Sequence, residues 1–420
     1  MAGLSGGTGR PRPVALTPAG EAESLTLDPR LVRVVLWQTF LVQVLAAFAI
    51  FTAPVLATEI AADLGLEPVV AGLYTATLFT GAILGSALAG AVTRQVGAFA
   101  GSLGSILLIA AGIALLASAQ FWLLPPAVLL AGFGYGLVNP TASALLVRVT
   151  RPERRGWVFS VKQTGVPIGT ALGGFLAPPL AHALGWQATL LGIAAAGVLM
   201  VVPFAGEALR SLKAERSAGQ RQAGGIQLLR RHRPLLVLAM GSFALAALQL
   251  CLSTFLTAHL VLSGGLSLVQ AGQVFACSQI GGAVARPLWG RLADWTGRAG
   301  WTLCLIGVLG SIMGLLTALL TPGWPLFAMI LLSTGFGATS LAWNGVFFAE
   351  IVRIVRPDEA AAATGGAQLF TYSGIVTGPL LFALVASLAG GFGPAYAALA
   401  AVALPGAVAI GAMVGSGRRG

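Results

Sequence analysis

The sequence predicts an all-α polytopic membrane protein with twelve transmembrane helices in two pseudo-symmetric bundles of six. Hydrophobic residues make up 57% of its 420 residues and charged residues only 9%, whereas soluble domains carry about 25% charged residues. Apolar runs long enough to cross a bilayer core of roughly 30 Å recur along the chain. Two further observations, the placement of the basic residues and an internal repeat, set the number of spans and their grouping.

Short polar or Gly/Pro-containing segments separate the apolar runs. Residues 1–33 are polar and rich in Pro and Gly, so we expect the first span to act as its own insertion signal. The three cysteines all fall within spans, where they are expected to pack as small apolar residues. The predicted spans are 34–57, 69–92, 100–118, 122–147, 157–181, 187–206, 235–260, 267–289, 301–321, 325–349, 363–389 and 396–414.

The basic residues fall on one side of the predicted membrane. Lys and Arg in short loops are retained in the cytoplasm, and alternating the loops places every basic residue except Lys162 and Arg286 on the side of both termini. We therefore expect an integral protein of the cytoplasmic (inner) membrane with both termini in the cytoplasm. The net charge of +11 follows from this bias and requires no nucleic-acid partner.

The second half of the chain repeats features of the first half. Gly132-Phe133-Gly134 recurs at 335–337, and Arg151-Pro152-Glu153 is echoed by Arg356-Pro357-Asp358. Two six-helix bundles, residues 34–206 and 235–414, explain this most simply. The polar segment 207–234 would link them, with 1–33 as a cytoplasmic N-terminal segment and 415–420 as a cytoplasmic tail. The glycines that recur two hundred residues apart are Gly65, Gly72, Gly81 and Gly90 in the first half and Gly265, Gly272, Gly281 and Gly290 in the second.

One motif is specific enough to suggest a family. The stretch Gly290-Arg291-Leu292-Ala293-Asp294-Trp295-Thr296-Gly297-Arg298 resembles the signature loop of the major facilitator superfamily. The resemblance implies the major facilitator fold and transport by alternating access. It also implies a gating role for Gly290, Arg291, Asp294, Gly297 and Arg298, with Asp294 accepting bonds from a helix N-terminus or an arginine. The alternative is a solvated charged turn. The counterpart in the first half carries Arg94 where the family has an acid.

Lys162 and Arg286 are the candidate ligands for a substrate. An ionisable group inside a span costs at least about 2.5 kcal/mol and usually lines a cavity or pathway. All acidic residues lie in loops, tails or span ends, so two cations without internal acids predict a site for an organic anion, whose carboxylate an arginine can grip with two parallel bonds. For each cation the alternative is a side chain that snorkels to the headgroups.

The surroundings of Arg286 carry a second, more local resemblance. Ala285-Arg286-Pro287 followed by Gly290 resembles the eighth helix of monocarboxylate transporters, and oxalate and formate exchangers have an arginine in a similar place. The resemblance implies that Arg286 binds the substrate carboxylate. Gly282 stands where monocarboxylate transporters have an aspartate, so their form of proton coupling is not implied.

Further candidate substrate-binding residues come from the repeat. Aligning Gly165 and Gly169 with Gly374 and Gly378 sets Lys162, Gln163 and Thr164 opposite Thr371, Tyr372 and Ser373. Trp343-Asn344-Gly345 is a polar and aromatic break where an organic group could stack, or a packing kink. Each polar span residue could instead bond only between helices. The polar span positions are Gln38, Gln43, Tyr74, Tyr135, Asn139, Gln249, Gln279, Asn344, Gln368, Thr371 and Tyr372, of which Gln163, Tyr372, Thr371, Asn344, Trp343 and Asn139 join the two cations as candidates.

These features predict a secondary active or facilitative transporter of a small organic anion such as a mono- or dicarboxylate. Its partners would be the anion, the lipid bilayer, and a coupling proton or counter-anion. No catalytic triad, phosphate loop or metal-ligand spacing occurs in the sequence, so we expect no enzymatic activity, cofactor or metal. One alternative is a multidrug or metabolite exporter, because GVPIGTALGG from Gly165 is loosely similar to the antiporter motif of exporters, although Val166 separates its Gly and Pro. A receptor or scaffold on a transporter fold is the other alternative.

Overall fold

The computed structural model describes residues 29–149, 161–206, 225–355 and 360–416, and within these ranges it is helical without strands. Residues Pro68–Val70, Phe121–Leu123 and Val202–Phe204 form short 3₁₀ turns. The helices of the first half are α1 Pro29–Val55, α2 Ala57–Leu64, α3 Ala71–Val96, α4 Ala98–Leu116, α5 Leu124–Val149, α6 Gly165–Leu184 and α7 Trp186–Val201. Those of the second half are α8 Gly225–Arg231, α9 Arg233–Leu262, α10 Leu268–Thr296, α11 Ala299–Ala318, α12 Leu326–Ser340, α13 Asn344–Ile354, α14 Ala360–Leu388 and α15 Phe392–Ser416.

Each of the twelve predicted spans has its helix, and the tenth is divided between α12 and α13. Ten of the twelve are long and apolar enough to cross a membrane. The other two are α6, which contains Pro178, Pro179 and His182, and α10, which contains several glutamines and Arg286. With so many apolar helices, the chain is an integral membrane protein.

Two short helices fall outside the predicted spans. α2 continues the chain after α1 ends at Pro54–Val55, and Gly65 closes it in the left-handed conformation with φ +65°. α8 lies inside the segment predicted as a polar linker, and its Leu229 is buried where α8 packs on α14. Leu229 is an apolar residue within a basic stretch. The polar composition of the linker therefore does not predict that one of its turns packs on α14.

Glycines allow the helices of each half to pack in the same way. A methyl group at Gly81 would lie 2.3 Å from the carbonyl oxygen of Leu129, and one at Gly281 would lie 2.6 Å from that of Thr334. α3 thus approaches α5 as α10 approaches α12, at contacts too close for any other residue. These equivalent contacts agree with the glycines that recur two hundred residues apart.

Packing corrects one part of the predicted repeat. A methyl group at Gly132 would meet the carbonyl of Leu78, and the residue that meets the corresponding Ser278 is Gly337, not Gly335. The Gly-Phe-Gly match between 132–134 and 335–337 is therefore shifted by two residues, because similar small residues recur within each helix. In the corrected register Asn139 and Asn344 are equivalent. The Arg-Pro-acid segments at 151–153 and 356–358 lie outside the described residues.

The two halves meet at one end of the bundle, here called the loop end, which contains the turns at residues 65–67, 185 and 263–267. There Thr75 and Thr254 share a hydrogen bond of 2.9 Å between α3 and α9. Methyl groups at Gly72 and Gly272 would lie 2.6 Å and 2.2 Å from the carbonyl oxygens of Pro379 and Gly174. The halves are therefore closed against each other at the loop end.

Candidate functional site

Lys162 lies in a helical turn just before α6, and only 4% of its surface is exposed. Its ammonium group donates hydrogen bonds to the side-chain carbonyl oxygens of Gln43 on α1 and Asn139 on α5. The side chain thus points into the first bundle instead of snorkelling to the membrane surface. Because Asn139 is itself exposed, the buried ammonium lies directly behind an accessible amide.

Small residues on α6 explain why Lys162 reaches Gln43. A methyl group at Gly165 would lie 3.1 Å from the side chain of Gln43, and one at Gly169 would lie 2.0 Å from the carbonyl oxygen of Val44. Such contacts bring the backbones of α6 and α1 close together. The lysine, one turn before Gly165, therefore arrives at the level of Gln43.

Arg286 on α10 binds two backbone carbonyl groups in different halves. Its Nε donates to the oxygen of Leu341 at 3.0 Å and its Nη1 to the oxygen of Gln163 at 3.3 Å. Leu341 lies in the break between α12 and α13. The usual helical partner of the Gln163 carbonyl would be the amide of Pro167, which has no N–H. Arg286 thus satisfies two carbonyls that irregular backbone leaves available.

Two tyrosines from different halves lie within electrostatic range of each other. The Tyr135 phenol on α5 is within electrostatic range of both Arg286 and Tyr372 on α14. The Tyr372 side chain lies beside that of Ser86 on α3, and Phe79 packs edge-on against the Tyr135 ring. Residues from both halves therefore form one group, which we call the central polar cluster: Gln43, Ser86, Tyr135, Asn139, Lys162, Gln163, Arg286 and Tyr372.

The central polar cluster carries two positive charges. Within the described ranges, Glu350 is the only buried carboxylate, and it accepts hydrogen bonds of 2.8 and 2.5 Å from Arg353 on its own helix. Glu350 therefore already has a counter-ion, whereas the polar partners of Lys162 are neutral amides. A buried charge that only neutral groups contact favours an incoming charge of opposite sign.

The other predicted substrate-binding residues bond to neighbouring helices. Thr371 donates to the hydroxyl of Ser242 on α9 at 2.9 Å. The indole N–H of Trp343 and the amide of Asn344 both donate to Gln249, at 2.9 and 3.2 Å. Trp343 is buried, so the tenth-span break predicted from the sequence exists but its indole packs inside the second half. Roles for these three residues in binding stay predictions.

The predicted gating segment is mostly helical. α10 continues through Thr296, so the turn is limited to Gly297, which adopts φ +60°, and Arg298. Asp294 is exposed, as are Arg291 and Arg298. In this conformation no described residue forms an ion pair with Asp294, and a gating role for the segment stays a prediction.

Some of the polar contacts could not be selected from the sequence. Gln43 and Tyr135 were recognisable only as polar residues within spans, and the corrected repeat would have singled out Asn139 and Asn344 as an equivalent pair. His259, in the last turn of α9, is buried, with Nε2 2.8 Å from the oxygen of Thr317. Such partners depend on how each helix is rotated about its long axis, and composition does not predict that rotation.

A separate apolar cavity of about 300 Å³ lies near the loop end of the first half. Helices α1, α2, α3 and α5 enclose it, and Tyr74 and Thr77 supply its few polar atoms. The Tyr74 hydroxyl already donates to the oxygen of Ile50. The cavity therefore suits an uncharged apolar group and has no charge in common with the central polar cluster.

Comparison with known families matches residues 39–379 to the Major Facilitator Superfamily. The chain is 29% identical to a chloramphenicol resistance protein of Streptomyces lividans over 371 residues, which cover 83% of this chain and 89% of that protein. It is 34% identical to the multidrug resistance protein MdtH of Yersinia enterocolitica over 113 residues, or 26% of this chain and only 28% of that relative.

Solved structures share the same fold. A bacterial homologue of the human lysosomal transporter Spinster, in an inward-facing and unoccupied conformation, has a TM-score of 0.70 at 17% identity, covering 92% of this chain and 95% of that one. A POT family transporter in complex with 5-aminolevulinic acid has a TM-score of 0.75 at 13% identity, covering 94% and 98%. At these identities the similarity concerns the fold alone.

Proposed function

The chain belongs to the major facilitator superfamily, and we propose that it transports a small organic anion such as a mono- or dicarboxylate by alternating access. The observation that carries the proposal is the pair of cations in the central polar cluster, Lys162 and Arg286. An anion held between them would contact both halves, since Lys162 belongs to the first and Arg286 to the second. Rocking of the halves about such a bound group is the usual behaviour of this architecture.

The N–H groups of Lys162 and Arg286 that the contacts described above do not use support the proposal. Lys162 has three N–H groups and donates two of them to Gln43 and Asn139. The guanidinium of Arg286 has five donors in a planar fork and uses two of them on backbone carbonyls. A carboxylate offers only acceptors. The remaining donors and the positive charge therefore complement an anion better than a cation or an apolar drug.

The charged residues also suggest how transport is driven. A carboxylate-based proton relay needs a buried acid in the pathway, and the described part of the central polar cluster has none. We therefore propose exchange against another anion, or movement down a gradient. The predicted cytoplasmic termini and inner-membrane location belong to this proposal.

Ligand-induced thermal stabilisation of the purified protein tests the substrate class. We expect formate, lactate, oxalate or succinate to raise the Tm of the wild type, because a ligand that binds only the folded state stabilises it. Lys162→Ala and Arg286→Ala should remove that shift. If no carboxylate raises the Tm, or if both variants respond like the wild type, the proposal is wrong.

A second candidate function is export of an uncharged, largely apolar compound. The apolar cavity near the loop end favours it, as does the similarity to the chloramphenicol resistance protein over most of the chain. Chloramphenicol in the same thermal assay separates the candidates. Stabilisation by chloramphenicol that persists in Lys162→Ala and Arg286→Ala, with no response to carboxylates, would establish the export function in place of anion transport.

A further inference from the structure

Gln43 is the buried partner of Lys162, and the orientation of its amide is fixed by chemistry. A lysine ammonium has donors only, so the amide oxygen of Gln43 must be the atom that contacts Lys162, which leaves the nitrogen of the same amide group for another partner. Gln43 is fully buried. Its nitrogen Nε2 has no hydrogen-bond partner among the described residues. A buried donor without an acceptor is unfavourable and requires an explanation, one of which is a bound ion that completes the bond.

Gln38, on the same helix, is a buried glutamine with a structural contact and serves as a comparison. It is also fully buried, but its nitrogen Nε2 donates to the hydroxyl of Ser102 at 3.0 Å, and its unpartnered atom is the oxygen Oε1. Gln38 therefore leaves an acceptor free and lies away from the two cations. Only Gln43 adds free N–H donors next to an unneutralised ammonium group.

Resting on the proposed anion transport, we propose that Gln43 sets the charge preference of the central polar cluster. Its carbonyl oxygen holds Lys162 in place without neutralising it, and its free amide N–H donates to the same bound anion. A glutamate at this position would keep a similar shape but would place a counter-charge directly on Lys162. The ligand class is thus an acceptor-rich anion, held by an ammonium and an amide together.

The experiment compares a carboxylate with its uncharged amide. Binding of oxalate and oxamide to the purified full-length protein is measured by calorimetry, for wild type, Gln43→Glu and Gln38→Glu. We expect the wild type to prefer oxalate at least about tenfold, since charge-assisted bonds are roughly twice as strong as neutral ones. Gln43→Glu should lose that preference, while Gln38→Glu should keep it within twofold.

Gln43→Leu separates the two roles and serves if the glutamate variant does not fold. Lys162 stays charged in Gln43→Leu, so the preference for oxalate should persist while oxalate affinity falls about tenfold through the lost donor. Unchanged affinity in Gln43→Leu, or an unchanged preference in a folded Gln43→Glu, would overturn the role of Gln43 and leave anion transport standing. A wild type that binds oxalate no better than oxamide would overturn the role of Gln43, and it would overturn anion transport as well if formate, lactate and succinate also fail to raise the Tm.

Discussion

Lys162 and Arg286 could be selected as candidate site residues from the sequence before their contacts were known. Their charges stand out in an apolar sequence, and both side chains do form polar contacts inside the bundle. The partners of Arg286 follow from backbone details: Pro167 leaves the Gln163 carbonyl without its helical donor, and the break at Leu341 frees a second carbonyl. The charges could be predicted from the sequence, whereas the acceptors could not.

Arg286→Lys should impair transport although the charge is kept. Lysine is a compact point charge and cannot replace a planar fork that donates from Nε and Nη1 in two directions. Because a hydrogen bond to a charged group contributes about 1.5–3 kcal/mol, we expect carboxylate uptake to fall at least about tenfold. Arg233→Lys, at the exposed start of α9, is the control and should transport normally. Equal uptake by both variants would contradict the geometry described for Arg286.

At the scale of the helices, glycine spacing predicted more than polar residues did. One recurring pair, Gly72 and Gly272, lies at close contacts between the halves, and another, Gly81 and Gly281, at equivalent contacts within each half, because only small residues permit such an approach. Trp343 and Asn344 marked a real break in the tenth span, but both turn toward Gln249. The sequence shows where a helix is irregular, while the rotation of the neighbouring helix decides which group it faces.

Gly272→Ala should open the loop end. The added methyl group would lie 2.2 Å from the oxygen of Gly174, and such overpacking costs about 1–3 kcal/mol. We expect the halves to separate there more often, so that a cysteine introduced at the buried position Thr75 reacts with a maleimide several times faster. Gly192→Ala, on α7 in open space, is the control. A labelling rate that is the same in both variants would show that this contact does not hold the halves together.

For the whole molecule, composition and charge placement predicted the class and a helix for each of the twelve spans. These properties depend on sums over long segments and tolerate local errors, which is why the two-residue shift in the repeat had no effect on them. The orientation in the membrane and the substrate are harder to predict. The orientation depends on the membrane, and the choice of substrate depends on a few side chains. The alignment of the two halves at the loop end likewise depends on contacts between residues far apart in sequence.

Reporter fusions test the orientation. The positive-inside bias predicts a fluorescent C-terminal GFP fusion and an inactive C-terminal alkaline phosphatase fusion, because phosphatase matures only after export. Phosphatase inserted after Gly65 or Gly265, both at the loop end, should be active. An active phosphatase at the C-terminus would reverse the assigned orientation without changing the fold.

The most direct measurement of anion transport is uptake of labelled oxalate or lactate into vesicles that contain the purified protein and are preloaded with the same unlabelled anion. Wild-type vesicles should accumulate label by exchange, whereas Lys162→Ala and Arg286→Ala vesicles should fall to about the level of empty vesicles, since each variant removes a charge that holds the anion. Uptake that continues undiminished in both variants, or wild-type vesicles that move neither anion, would contradict a transporter built on these two cations.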